Sequence, residues 1–162
     1  MWALENRRFG RFLQNPNRTL DLEHYRKLKN MYDAAPINAF FKAKLHVDHE
    51  EAVVEIDIRP DFHHAAGAMH GAVYFKALDD ATFFAANSIV EDVFVLTAHF
   101  EIDLLRPIRE GSIRAIARVT DRNDKRILAS GELFDEHGAL IARGCGEFAV
   151  SKIPLCPETH YC

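Results

Sequence analysis

Two adjacent carboxylates, Asp79 and Asp80, stand inside a stretch over residues 70–90 that is otherwise almost wholly apolar. An unpaired carboxylate costs several kcal/mol to bury, so each needs a partner or a purpose. If the stretch is helical, neighbouring residues point about 100° apart and the two cannot share one environment. Asp80 falls on the row of Lys76 and Asn87, and Lys76, one turn earlier, offers it an ion pair; a polar or interface stripe is a sufficient account of it. Asp79 falls near Ala72, Phe75, Phe83 and Ala86, with only Thr82 and a three-residue reach to Lys76 to offset burial. Spacing alone leaves Asp79 divided between a structural group and a catalytic one, acting as general base or as nucleophile.

The segment Gly67-Ala68-Met69-His70-Gly71-Ala72 leads into the same stretch. The first turn of a helix presents backbone N–H groups without intrahelical partners, and the local dipole favours negative charge there. Glycine at 71 leaves room for a carbonyl group to approach those donors, which makes an oxyanion site; equally, a glycine there only permits a turn and close packing. Asp79, two turns on, flanks the same cleft. His63, His64 and His70, with His46 and His49, raise a metal site, but no HExxH or paired-cysteine spacing accompanies them, so hydrogen-bonded loop histidines are expected and no metal. Cys145, between Gly144 and Gly146, has no helix N-terminus or paired histidine in sight and reads as a buried structural cysteine.

The elements that position these groups emerge from periodicity. Leu22, Tyr25, Leu28, Tyr32 and Ala35 recur at three- and four-residue steps, which predicts an amphipathic helix from Leu20 to about Ala35, N-capped by Asp21 and stopped by Pro36. Alternating segments at Ala43–Val47 and Ala52–Ile58 flank a polar turn at Asp48-His49-Glu50 and form a hairpin closed by Pro60. A loop rich in His and Ala, Asp61–Met69, precedes a helix from His70 to about Val90 that is apolar nearly all round and must be buried. In Val93–Leu105 the alternation puts Phe94, Leu96, Ala98, Phe100, Ile102 and Leu104 on a dry face and Thr97, His99, Glu101 and Asp103 on a polar one. Ser112–Thr120, Ile127–Phe134 and Ala139–Val150 continue as strands between turn signals. A sheet of about six antiparallel strands curled around one long buried helix is the packing solution, an α+β hotdog fold. One helix leaves a polar outer face and a strand edge uncovered, so a homo-oligomer, dimer or tetramer, is expected.

At 162 residues and 48% hydrophobic content the chain suits one core. It reads as a helical extension over residues 1–39, a hotdog domain over 40–152 and a tail over 153–162. A net charge of -4, with 20 basic and 24 acidic side chains interspersed, argues against nucleic acid. Charges interrupt the opening MWALENRRFGRFLQN, and no run approaches the ~18 apolar residues of a membrane span, so a cytoplasmic protein is expected. Three cysteines without a CxxC pair indicate neither a disulfide framework nor a zinc knuckle.

His64-Ala65-Ala66-Gly67-Ala68-Met69-His70-Gly71-Ala72, followed by Leu78-Asp79-Asp80-Ala81, resembles the signature of the phenylacetic-acid-degradation-type (PaaI-like) thioesterases of the hotdog superfamily. That signature runs Asn-x-x-Gly-x-x-His-Gly-Gly, with a catalytic Asp nine residues after the His. Gly67, His70, Gly71 and Asp79 fall at the matching spacing; His64 stands in the place of the Asn and Ala72 in that of the second Gly. Leu96-Thr97-Ala98-His99-Phe100 and Leu104-Leu105-Arg106-Pro107 look like the family's third strand and its terminal proline. The resemblance implies hydrolysis of an acyl-CoA thioester, with Asp79 of one subunit acting across a dimer interface and the Gly71 N–H polarising the carbonyl. It further implies that His64 orients the water or carbonyl, that Thr97 holds Asp79 or the water, and that the His70 side chain is catalytic or structural. Arg106, Lys125 and Arg126 are candidates for the coenzyme A phosphates, and no separate cofactor is implied. The alternatives are a hotdog 3-hydroxyacyl dehydratase or hydratase, for which the loop supplies His63 and His64 but no His-Phe-Pro segment, and a non-catalytic acyl-CoA-binding module.

Overall fold

Apolar periodicity near the N-terminus resolves into helix α1, Arg18–Ala34, in a computed structural model that describes residues 18–162. The charged segment MWALENRRFGRFLQN lies outside the described residues. Asp21 lies inside α1 and not at its N-cap. Pro36 does more than stop the run. Its fixed φ suits a first helical turn, and a second helix, α2, spans Pro36–Phe41. Ala35 between the two is extended, at φ -66° and ψ 125°, as a residue before proline must be.

The hairpin comes next as β1, Lys44–Asp48, and β2, Glu51–Asp57, with Glu50 in the turn at φ 58°. After a 3-10 turn at Pro60–Phe62 comes the long helix α3, Gly71–Asn87, and then β3 (Val93–Leu104), β4 (Ser112–Arg122), β5 (Arg126–Asp135) and β6 (Leu140–Pro154). The strands form one sheet in the order β1-β2-β4-β5-β6-β3, every pairing antiparallel. The sheet wraps α3, and Ala77, Leu78, Ala81 and Ala85 on the helix are fully buried with Val54, Ile113, Ala115, Leu133 and Ile141 from the strands. Each large aliphatic side chain buried this way contributes roughly 1.5–3 kcal/mol. This is the hotdog arrangement.

Tyr25, Leu28, Met31 and Tyr32 of α1 belong to that same core, so the helical extension is packed into the fold. His24 fastens its start: the imidazole is 2.6 Å from the Tyr161 hydroxyl and donates or accepts there, while Nε2 donates to the Asn87 carbonyl at 2.9 Å, linking α1, the C-terminal tail and the end of α3.

Two expectations about the strands are corrected. The unbroken alternation read for β3 fails at Ala98. Thr97 pairs with Phe148 and His99 with Glu147, leaving Ala98 as the extra residue of a β-bulge. Before the bulge Val95 and Thr97 take the helix side; after it Phe100 and Ile102 do. Thr97 therefore does not share a face with Glu101 and Asp103. Nor is the apolar row dry, since β3 is the end strand of the sheet and Leu96 and Leu104 are 45% and 54% exposed. Cys145 is the second correction. Register sets it opposite Glu101 and Ser130 on the outer face, where it is exposed.

Candidate active site

The helix N-terminus is built by the loop before it. His70 is extended (φ -68°, ψ 144°), and its Nδ1 accepts the Ala72 N–H at 3.0 Å, capping the first turn of α3. Its carbonyl accepts from Val73 N–H at 2.9 Å. The Gly71 N–H has no partner among the described residues, and its dipole faces outward from the helix start. A side chain at Gly71 would meet Leu104 at 3.5 Å, an ordinary contact, so within one chain the glycine is not forced by crowding.

Asp79 lies two turns further along α3, half-buried, and the Thr97 hydroxyl donates to its Oδ1 at 3.0 Å. Burial pushes the Asp79 carboxyl above the ordinary carboxylate range. The Thr97 hydrogen bond opposes that rise, the neighbouring Asp80 charge adds to it, and Lys76 acts weakly against it. Burial pushes the Asp80 carboxyl up as well, but its surroundings differ. It is buried, accepts the Tyr32 hydroxyl at 2.8 Å and is paired with Lys76, which also donates to Asn38 Oδ1 at 2.8 Å. Adjacent carboxylates thus end in different surroundings: one tied into the core, the other facing a strand edge with a single hydroxyl as neighbour.

The remaining candidate residues are scattered over the chain. His64 is exposed, its Nδ1 accepts the Ala66 N–H at 3.1 Å, and no hydrogen bond joins it to Asp79. His63 is fixed differently, its Nε2 donating to the Arg109 carbonyl at 2.8 Å. Among the described residues no three His, Cys, Asp or Glu side chains cluster as metal ligands. Arg106 comes just after β3, its N–H donating to Ile141 O and its carbonyl accepting from Tyr74. Lys125 and Arg126 stand at the β4–β5 turn, where Arg126 is ion-paired with Glu147. Arg126 lies opposite Ala149, eight residues of β6 from Ile141, so Arg106 and this basic turn are roughly 27 Å apart along the sheet. One chain does not bring the three cations together.

Sequence reasoning missed Arg109. Its guanidinium donates to Gly67 O at 2.9 Å and Ala66 O at 3.3 Å, and with Met69 N–H on Ile108 O it clamps the loop that leads into α3. Gly67 at φ 74° turns that loop in the left-handed region where glycine is favoured. No local pattern marks an arginine forty residues downstream as its partner. Gly144 and Gly146 were visible, but not their use: a Cβ on either would press into the Phe100 ring at 2.7 and 3.1 Å, and that ring stands edge-on to Phe75 beside the site.

The loop, the N-terminus of α3 and most of the following sheet coincide with the match to the thioesterase superfamily model, residues 66–142. That match covers just under half of the chain. Among solved structures it superposes on the Escherichia coli PaaI protein of the phenylacetic acid degradation operon with a TM-score of 0.76 and 20% identity, covering 83% of this chain and 98% of that one. A variant of the phenylacetic acid degradation protein PaaI from Thermus thermophilus gives 0.66 and 24% identity over 72% of this chain and all (100%) of that one. A Saccharolobus solfataricus protein named "Putative esterase SSO2140" is 24% identical over 108 residues, 67% of this chain and 77% of its own length. The match to the thioesterase superfamily supports an esterase or thioesterase activity. Among the described residues no helix is long and apolar enough to cross a membrane.

Proposed function

We propose that the protein hydrolyses acyl-CoA thioesters, with Asp79 as general base or nucleophile and the Gly71 N–H as the donor that receives the developing oxyanion. The observation that carries this reading is the pairing of a half-buried carboxylate, held only by the Thr97 hydroxyl, with an unpartnered N–H at the start of the same helix. Eight residues of α3 separate the two, about 12 Å of helix rise, too far to act on one carbonyl. A second copy paired along the β3 edge resolves this. Antiparallel pairing there sets the Gly71 end of one α3 near the Asp79 of the other, and turns Arg106 of one copy toward Lys125 of the other, where coenzyme A phosphates would find both. The exposed apolar residues Leu96, Leu104, Leu105 and Phe75 fit such an interface.

In the reaction the thioester carbonyl is polarised at Gly71, and Asp79 either takes a proton from attacking water or attacks the carbon itself to give a short-lived anhydride. On the first route water's hydroxyl joins the acyl carbon and the proton it gave up passes to the departing coenzyme A thiolate; on the second the thiolate leaves as the anhydride forms, and water then cleaves the anhydride to release the carboxylic acid and restore Asp79. His64, exposed on the loop that leads into α3, would orient water or carbonyl in such an assembled site. The test is a panel of acyl-CoA substrates with wild type and Asp79→Asn. Turnover of several thioesters by the wild type, reduced by about 10²-fold or more in the variant, is the expected result; a variant with full rate removes Asp79 from the mechanism.

A further inference from the structure

Lys76 lies three residues before Asp79 and four before Asp80, so on a helix its ammonium group reaches either carboxylate. The structure puts it on Asp80, and the reasons come from outside α3. Asn38 of α2 accepts a hydrogen bond from Lys76 at 2.8 Å through Oδ1, and its amide donates to the Tyr32 carbonyl at 2.7 Å, which fixes its orientation. The Tyr32 and Phe41 rings stand 5.4 and 5.7 Å from the ammonium, near enough for cation–π attraction. Tyr32 also donates to the same Asp80 oxygen that Lys76 holds. Every one of these groups belongs to α1 or α2, ahead of the sheet.

We propose that Asn38, Tyr32 and Phe41 are positioning residues: they cage the Lys76 ammonium on Asp80 and so keep the Asp79 carboxylate free of an ion pair. This rests on the reading of Asp79 as the reacting carboxylate. A lysine paired with Asp79 would neutralise it, weaken it as a base and block its approach to substrate. The groups facing Asp79 are Thr97 from β3 and Lys76 and Asp80 from its own helix. The inner faces of β1, β2, β4, β5 and β6 bring Leu45, Val54, Ala115, Leu133 and Ile141 to the helix, none of them titratable. Among the described residues Lys76 is the cation within reach, and its placement sets whether Asp79 carries an ion pair.

The experiment follows the Asp79 carboxyl by carbon-13 NMR titration, assigned by its absence in Asp79→Asn, beside kcat and KM over pH. In Asn38→Ala the released ammonium reaches Asp79, the carboxyl titrates at lower pH than in wild type, and kcat falls by roughly tenfold with KM little changed, part of the ~10²–10⁴ that a general base supplies. In a Lys76→Met background the same Asn38→Ala change leaves the Asp79 titration where that background has it, whereas simple loosening of the fold moves it in both. Phe41→Leu, which keeps bulk but removes one aromatic wall, shifts the titration in the same direction by less, and serves if Asn38→Ala does not fold. An Asp79 titration unmoved in Asn38→Ala or, failing that, in Phe41→Leu, or moved equally with Met at 76, overturns the cage. A fully active Asp79→Asn overturns the functional reading instead, and the titration still reports on the cage.

Discussion

Asp79 is held in a place that suits its neutral form better than its charged one. Burial lifts its carboxyl above the ordinary range, and the Thr97 hydroxyl is the main group working the other way. A base must be deprotonated, so activity falls as pH drops through this raised value, and the acidic limb of the rate profile lies above that of an exposed aspartate. Thr97→Val removes a hydrogen bond that favours the charge, which moves the limb further up the pH scale; kcat/KM against pH for the two proteins measures it. Stability runs in the opposite sense to function. The folded state keeps this proton to higher pH than the unfolded chain does, so stability is lost as pH rises from the unfolded value through the folded one. Asp79→Asn consequently raises Tm at neutral pH, and the gain vanishes below about pH 4; calorimetry at the two pH values checks both halves. The spacing of Gly67, His70, Gly71 and Asp79 was legible in the sequence because it lies within one helix and its lead-in. The Asp80–Tyr32 bond was not, since its partners are 48 residues apart and meet only through tertiary packing.

At the scale of elements, α3 shows how far composition alone reaches. Its continuous apolar surface predicted burial, and it is the axis of the fold. Pro36 was legible as a breaker, while its second role as the first residue of α2 depends on the residues after it, a short helix whose Asn38 is buried against α1 and α3. The start of α3 offers a direct test of the oxyanion site. Proline is tolerated at a first helical position and lacks an N–H, and His70 at ψ 144° already has the extended backbone that precedes a proline. Gly71→Pro therefore keeps the helix while deleting the donor; its circular dichroism matches wild type while kcat falls by about 10²–10³. Equal rates for the two proteins would assign the oxyanion to other donors.

For the whole molecule, the sheet ends in a long strand with apolar side chains in water, and twelve residues of open edge are what sheets ordinarily hide. The proposed pairing of two copies there would cover the edge and bring together Gly71 and Asp79, which lie about 12 Å apart along α3 in one chain. Leu96→Glu places charge on that edge: sedimentation should show a shift toward the monomer, with loss of thioester turnover and retention of the circular dichroism of the fold. A monomer that stays fully active would mean that one chain suffices. Surplus surface was legible in the sequence; which strand carries it was not, because sheet order, with β3 last beside β6, is set by the crossover and not by any local pattern.

Ala98 carries a consequence for how β3 tolerates change. A strand addresses its two faces by odd and even positions, and this one has two obligations of opposite parity: Thr97 must look toward Asp79, and Phe100 and Ile102 must look toward the same helix. No unbroken strand of this length satisfies both. Deleting Ala98 would remove the bulge and leave Thr97 and Phe100 two positions apart, so that a regular strand still holds both the hydroxyl and the aromatic ring toward α3, and replacing it by another small residue likewise costs little. At this position the strand tolerates the loss of a residue as well as a change of side chain, whereas a deletion elsewhere between Thr97 and the helix-facing residues before it would put them out of step.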